Sequence, residues 1–349
     1  MPRGISSTAT TARTGSERWS ASAHKRIAVI GTGGSIATLG RSSLDLVDYG
    51  EFGHVISIAS LFDRFPELNG LATFKMTDFR AVHSEAIGPI EWRDLAEATE
   101  RLISTDNPDG IVIVHGTSTL EETAWFLDRT IGGKAPIVVV GSLRPANAIS
   151  TDAGFNLACA IRVASQPGTA DLGVIAVLNG EIYAARDVTK TGTFGLNAFS
   201  GGELGPLGYV DPNGDVVLYR HSSRVGARFN LSALLSLPRV DVVFAYAGAD
   251  GVCVDALMDA GACGIVVAGM SPGTCGPLQL AALERAAQNG IVAFSSRAGN
   301  ARVIGSEMLR SRRFIAADNL TPQKARILLM LSLGAADDFL QTQARFDNS

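Results

Sequence analysis

Aromatic residues are scarce in this 349-residue chain, at 7%, and charge is scarce too, at 18%. The charges nearly cancel, with 34 acidic against 30 basic residues and a formal net charge of −4. That balance gives no electrostatic reason to bind nucleic acid or an anionic membrane. The four cysteines (Cys159, Cys253, Cys263 and Cys275) have no C-x-x-C spacing and are too few for a disulfide framework. They read as small core residues of a reduced, cytosolic protein. No apolar run approaches the roughly 18 residues a transmembrane helix needs. The histidines are scattered, without H-E-x-x-H or other ligand spacing, so no metal site is expected.

Apolar residues are plentiful, at 46%, and glycine reaches 38 residues, which suits parallel strands, helices and tight turns. The length favours two domains over one small core. Residues 1–24 hold nine Ser/Thr, three Arg and one Glu. Such a segment buries too little to offset its chain entropy and is expected to be a disordered extension. It has no apolar stretch of the kind a secretory signal carries, though its Arg/Ser-rich, acid-poor character has something of a transit peptide. Short apolar runs without polar alternation then follow at 26–30, 109–114, 136–140 and 173–178. Helical-period stretches occupy 91–103, 119–130 and 154–165. Buried strands separated by helices predict an α/β fold whose mostly parallel sheet is covered on both faces. Residues 205–233 read as a hairpin and then a linker. A smaller set follows: strands 239–246, 264–268 and 291–294, helices 252–260 and 277–289, and a final helix over 321–333 with Thr321 as its cap and Pro322 in its first turn. The expected divisions are an extension (1–24), a larger N-terminal domain (25–215), a linker (216–233) and a smaller C-terminal domain (234–349).

Three segments carry candidate chemistry. Gly31-Thr-Gly-Gly-Ser-Ile-Ala37 fails the dinucleotide fingerprint, the P-loop and G-x-S-x-G. It still puts glycines and hydroxyls at the carboxyl end of the first strand, where open α/β sheets bind ligands. An ordinary strand-to-helix turn would look the same. Val114-His-Gly-Thr-Ser-Thr-Leu-Glu-Glu-Thr-Ala124 ends another strand. Helix capping with Glu121 and Glu122 in the first turn explains one of its hydroxyls. It does not explain three in a row beside His115. Lys190, in Arg186-Asp-Val-Thr-Lys-Thr191, could serve as a base if buried among hydroxyls, whereas most lysines are simply solvated.

These segments occur in one order with Gly141-Ser-Leu-Arg-Pro145, Gly205-Pro-Leu-Gly-Tyr209 and Leu320-Thr-Pro-Gln-Lys-Ala-Arg326. Together they closely resemble the bacterial-type L-asparaginase/glutaminase family from about residue 25 to the C-terminus. The resemblance implies a large N-terminal domain and a small flavodoxin-like C-terminal domain. It also implies homotetramers built from intimate dimers. Catalysis in that family starts from a threonine in the first Gly turn, which attacks a side-chain amide to form an acyl-enzyme, and Ser35 stands at that position here. Tyr49 matches the tyrosine of the mobile loop, and Thr117 and Lys190 match the second catalytic group. Ser84 and Glu85 match the pair that holds the substrate's α-carboxylate and α-ammonium. Ser118 stands where the family has Asp. Glu307 is the candidate for a distal glutamate that a neighbouring subunit contributes.

A neutral hydroxyl needs a proton acceptor, and the amide oxygen needs donors as charge develops on it. Backbone N–H groups at the Thr117 turn and near Ser142 are expected to be those donors, with no metal or organic cofactor. The expected activity is hydrolysis of L-asparagine, with glutamine as a further substrate, by a cytoplasmic enzyme whose only other partner is itself. Ser118 keeps two alternatives open. One is a hydrolase of another small amide, lactam or ester lacking a free α-amine. The other is a non-catalytic amino-acid-binding relative.

Overall fold

The computed structural model describes residues 25–349 except 134, 222–227, 235 and 300–301. The extension expected at 1–24 lies outside the described residues, as does part of the linker expected at 216–233. The apolar runs form strands β1 (Arg26–Gly31), β2 (Thr73–Asp78), β3 (Gly110–Val114), β4 (Ile137–Val140) and β5 (Val174–Leu178). Three further strands, β6 (Glu181–Ala184), β7 (Gly208–Val210) and β8 (Val216–Leu218), complete the sheet. The strand order is β8-β7-β6-β5-β4-β3-β1-β2. The five from β5 to β2 are parallel, and β6 to β8 add an antiparallel edge that ends in the expected hairpin.

Successive strand residues face opposite sides, so both faces of this sheet are apolar. Ile27, Val29, Val112 and Val114 pack under α1 (Ile58–Asp63) and α4 (Ala153–Ala164). Ala28, Ile30, Ile111 and Ile113 pack under α2 (Pro89–Asp106) and α3 (Leu120–Thr130). Trp92 and Phe126 stack there with ring centroids 5.5 Å apart. Burying a side chain of that size stabilises by about 2–3 kcal/mol.

The second sheet has order β9 (Val240–Phe244), β10 (Gly264–Gly269), β11 (Ile291–Ser296) and β12 (Ile315–Ala316), all parallel. Helices α5 (Val252–Asp259) and α6 (Pro277–Ala286) cover one face. Helix α7 (Pro322–Gly334) covers the other and also packs against α3, so one apolar core runs from the large sheet into the small one.

Some expectations need correction. Thr321 precedes α7, but its side chain makes no capping hydrogen bond and its Oγ1 is buried without a partner. α7 is not the last helix, because α8 (Phe339–Asp347) follows, capped by Asp338. Only Cys159 is a buried core cysteine; Cys253 and Cys263 are exposed and Cys275 is half-buried. Strand β2 was hidden because its sequence, Thr-Phe-Lys-Met-Thr-Asp, belongs to an exposed sheet edge rather than an apolar run.

Candidate active site

β1, β3 and β4 lie side by side and parallel, so each ends in a turn at the same carboxyl end of the sheet. Those turns carry Ser35, Thr117 and Ser142. They are drawn together by backbone: Thr32 N–H donates to Val114 O at 2.9 Å and His115 N–H to Val140 O at 2.8 Å. Glycine is required where the turns touch. A Cβ on Gly34, which has φ +82°, would lie 2.2 Å from Gly116 Cα, and one on Gly116 would lie 2.6 Å from Ser84 Cβ. The glycines flanking the hydroxyls thus permit three segments to meet.

Ser35 is half-buried, and its Oγ donates to the Ser142 carbonyl at 2.5 Å. Tyr49, on the short helix Tyr49–Phe52, lies beside Ser35. Burial raises the Tyr49 phenol above its ordinary value of 10.0; the neighbouring Ser35 hydroxyl opposes the rise, and the Asp152, Glu85 and Asp45 charges add to it. Tyr49 is therefore a protonated phenol at neutral pH. Lys190 behaves oppositely. Burial lowers its pKa, with Glu121 resisting, and its Nζ donates to Thr117 Oγ1 at 2.8 Å. Of the two groups, Lys190 is the one whose environment favours a neutral base.

Ser84 is buried behind the second turn. Its Oγ accepts from the Ser118 N–H at 3.3 Å, and its carbonyl accepts from Thr119 Oγ1 at 2.6 Å. Thr119 is thus spent on Ser84 rather than on capping α3. Glu85 and Ser118 are exposed. Glu85 is linked to the site through its effect on Tyr49. Glu307 is exposed in the short helix Glu307–Ser311, on the second domain.

The expected amide donors near Ser142 are not free. Leu143 and Arg144 N–H groups donate to the buried Asp152 carboxylate at 2.9 and 3.1 Å. What Ser142 offers Ser35 is its carbonyl. Asp152, nine residues beyond Leu143 and eight beyond Arg144, was missed because its role is a turn closure that no local pattern marks. His115 was singled out in the sequence only as a neighbour. It is fully buried, and burial drops its pKa from 6.5 to about 4 despite a 2.7 Å contact of Nδ1 with Gly116 O. Trp92 Nε1 donates to Thr123 Oγ1, which lies 2.9 Å from His115 Nε2. With Nδ1–H donating to Gly116 O, Nε2 is the acceptor, and neutral imidazole holds the second turn in place. Among the described residues no group of three or more His, Cys, Asp or Glu is arranged to hold a metal ion.

The asparaginase N-terminal domain model matches residues 26–224, and the glutaminase/asparaginase C-terminal domain model matches 239–346. This chain belongs to the asparaginase family. It is 35% identical to L-asparaginase 2 of Bacillus subtilis over 325 residues, covering 92% of this chain and 86% of that protein. The glutaminase-asparaginase of Pseudomonas fluorescens is 33% identical, with 92% and 89% covered. The crystal structure of a probable cytoplasmic L-asparaginase from Campylobacter jejuni superimposes with a TM-score of 0.88 at 35% identity, covering 93% of this chain and all of that one. As an asparaginase-family amidohydrolase, the chain places its turns of hydroxyls, its tyrosine and its lysine around the carboxyl ends of the large sheet's central strands.

Proposed function

We propose that this asparaginase-family amidohydrolase splits the side-chain amide of L-asparagine to aspartate and ammonia through an acyl-enzyme on Ser35. The observation that carries this reading is the pair of hydroxyls, Ser35 and Thr117, on adjoining turns, with Tyr49 on the first and Lys190 on the second. Ser35 Oγ attacks the amide carbon and gives up its proton, and the C–N bond breaks as the nitrogen leaves protonated as ammonia. Water then attacks the ester, and Ser35 recovers its proton as aspartate departs. Lys190, acting through Thr117, is the proton acceptor; Tyr49 donates a hydrogen bond that orients Ser35. The Thr117 N–H is the oxyanion donor, the next one, of Ser118, being donated to Ser84 Oγ. Ser84 and Glu85 hold the α-carboxylate and α-ammonium, and Ser118 borders them. Ammonia release by the purified protein with asparagine and with glutamine tests the activity. Binding without release would mean a non-catalytic amino-acid-binding relative.

Ser118 favours a second reading of the substrate. With no carboxylate at 118, the ammonium subsite depends on Glu85 alone. Without Glu85's help, the preferred substrate is an amide, lactam or ester lacking a free α-amine.

Because Val216–Leu218 form β8 of the large sheet rather than the start of the expected linker at 216–233, the domains are proposed to divide at a linker over 219–233, and the assembly to be a homotetramer of intimate dimers. Two exposed free thiols, Cys253 and Cys263, support a reducing compartment such as the cytoplasm.

A further inference from the structure

Glu121 lies four residues beyond Thr117, in the first turn of α3, and is only 7% exposed. Its carboxylate accepts from Thr189 Oγ1 at 2.5 Å and from Gln323 Nε2, on α7, at 3.2 Å. Thr189 immediately precedes Lys190, whose Nζ returns to Thr117 Oγ1. A closed ring results: Thr117, one turn of helix, Glu121, Thr189, Lys190 and back to Thr117. A second tether holds the same segment, because the buried Lys324 of α7 donates to the carbonyls of Arg186 at 2.7 Å and Val188 at 2.5 Å.

No step of the proposed hydrolysis uses Glu121, and burying a carboxylate is costly unless opposite charge and hydrogen bonds compensate it. A neutral amide, with one accepting oxygen and a donating nitrogen, could not accept at both Oε1 and Oε2, yet acceptor geometry alone does not explain the negative charge. Two ammonium groups supply the explanation. We infer that Glu121 is a positioning residue for the amide hydrolysis, fixing Lys190 against Thr117 and governing its protonation. This inference rests on the reading of Lys190 as the base.

The charged groups around this segment are Glu121 and Glu122 from α3, Lys324 and Arg326 from α7, Arg186 and Asp187 from the segment itself, and Arg220, whose guanidinium lies 3.8 Å from the Asp187 carboxylate. Burial favours neutral Lys190, and the Glu121 charge favours the ammonium. Glu121 is also the largest charge acting on Lys324, again holding the ammonium against burial. Removing the carboxylate therefore makes Lys190 lose its proton at lower pH, and it also frees the Thr189 end of the ring.

The test is the pH dependence of kcat/KM for ammonia release by wild type, Glu121→Gln, Glu121→Asp and Lys190→Met. Glu121→Gln is expected to move the ascending limb to lower pH by about one unit or more, the scale of losing a nearby opposite charge. Its plateau is expected to fall as well. Glu121→Asp keeps the charge and should leave the limb between those of wild type and Glu121→Gln, with part of the plateau rescued. A purely structural residue would lower the plateau and leave the limb unmoved. If Lys190→Met is inactive while the Glu121→Gln limb superimposes on wild type, this inference is overturned. If Lys190→Met keeps wild-type turnover, the base assignment fails first. Should Glu121→Gln not fold, a limb unmoved in Glu121→Asp overturns the inference.

Discussion

The Ser35 hydroxyl donates its proton to the Ser142 carbonyl across 2.5 Å. A carbonyl orients that proton but cannot remove it at any relevant rate. The resting hydrogen bond must therefore break before attack, and the proton must find a base whose neutral form is accessible. In this site burial lowers Lys190 and raises Tyr49, so the two side chains are driven to opposite roles.

Activity should accordingly rise with pH. Lys190 works as the free amine, and its folded pKa lies below the ordinary lysine value, so activity appears as pH climbs through that lowered value. Lys190→Met should reduce kcat by about 10² or more, in the range for losing a general base. Near wild-type turnover in that variant would make the lysine structural.

The ammonium subsite gives a second prediction. Glu85→Gln should raise KM for asparagine sharply while changing KM for succinamate, which has no α-amine, far less. The lost charge-assisted hydrogen bond corresponds to about 1.5–3 kcal/mol. Ser118→Asp should raise kcat/KM for asparagine relative to succinamate. An unchanged ratio in Ser118→Asp would mean that position 118 does not sense the ammonium.

His115 predicts acid sensitivity of the fold. Its folded pKa of about 4 lies below the ordinary 6.5, so between those values the unfolded chain binds the extra proton. Its contribution is fully present above pH 6.5 and is lost as pH falls toward 4, by about 3 kcal/mol in all. The gap in unfolding free energy between wild type and His115→Asn should narrow over that window. Parallel urea-midpoint profiles would contradict it.

The larger sheet's parallel strands and helices were legible because strands buried on both faces form apolar runs, as in Ile111–Val114, and their covering helices keep a regular period. Strand β2 was not, because Lys75 and Thr77 lie on an edge that needs no apolar pattern. The hydroxyls and Lys190 were visible as clusters in sequence. Asp152 and Ser142 O were not, since a turn closed by a carboxylate from nine residues away leaves no motif. Glu121 looked like an ordinary helix-start acid; only the fold brings Thr189 and Gln323 to it.

The most direct measurement is intact-protein mass spectrometry of acid-quenched turnover with asparagine, followed by peptide mapping, on wild type and Ser35→Ala. Wild type should carry one aspartyl group on Ser35. Ser35→Ala should carry none and lose activity by several orders of magnitude with its unfolding midpoint unchanged, while Ser35→Thr should remain active. An adduct on another residue, or ammonia release by Ser35→Ala close to wild type, would contradict Ser35 as the nucleophile.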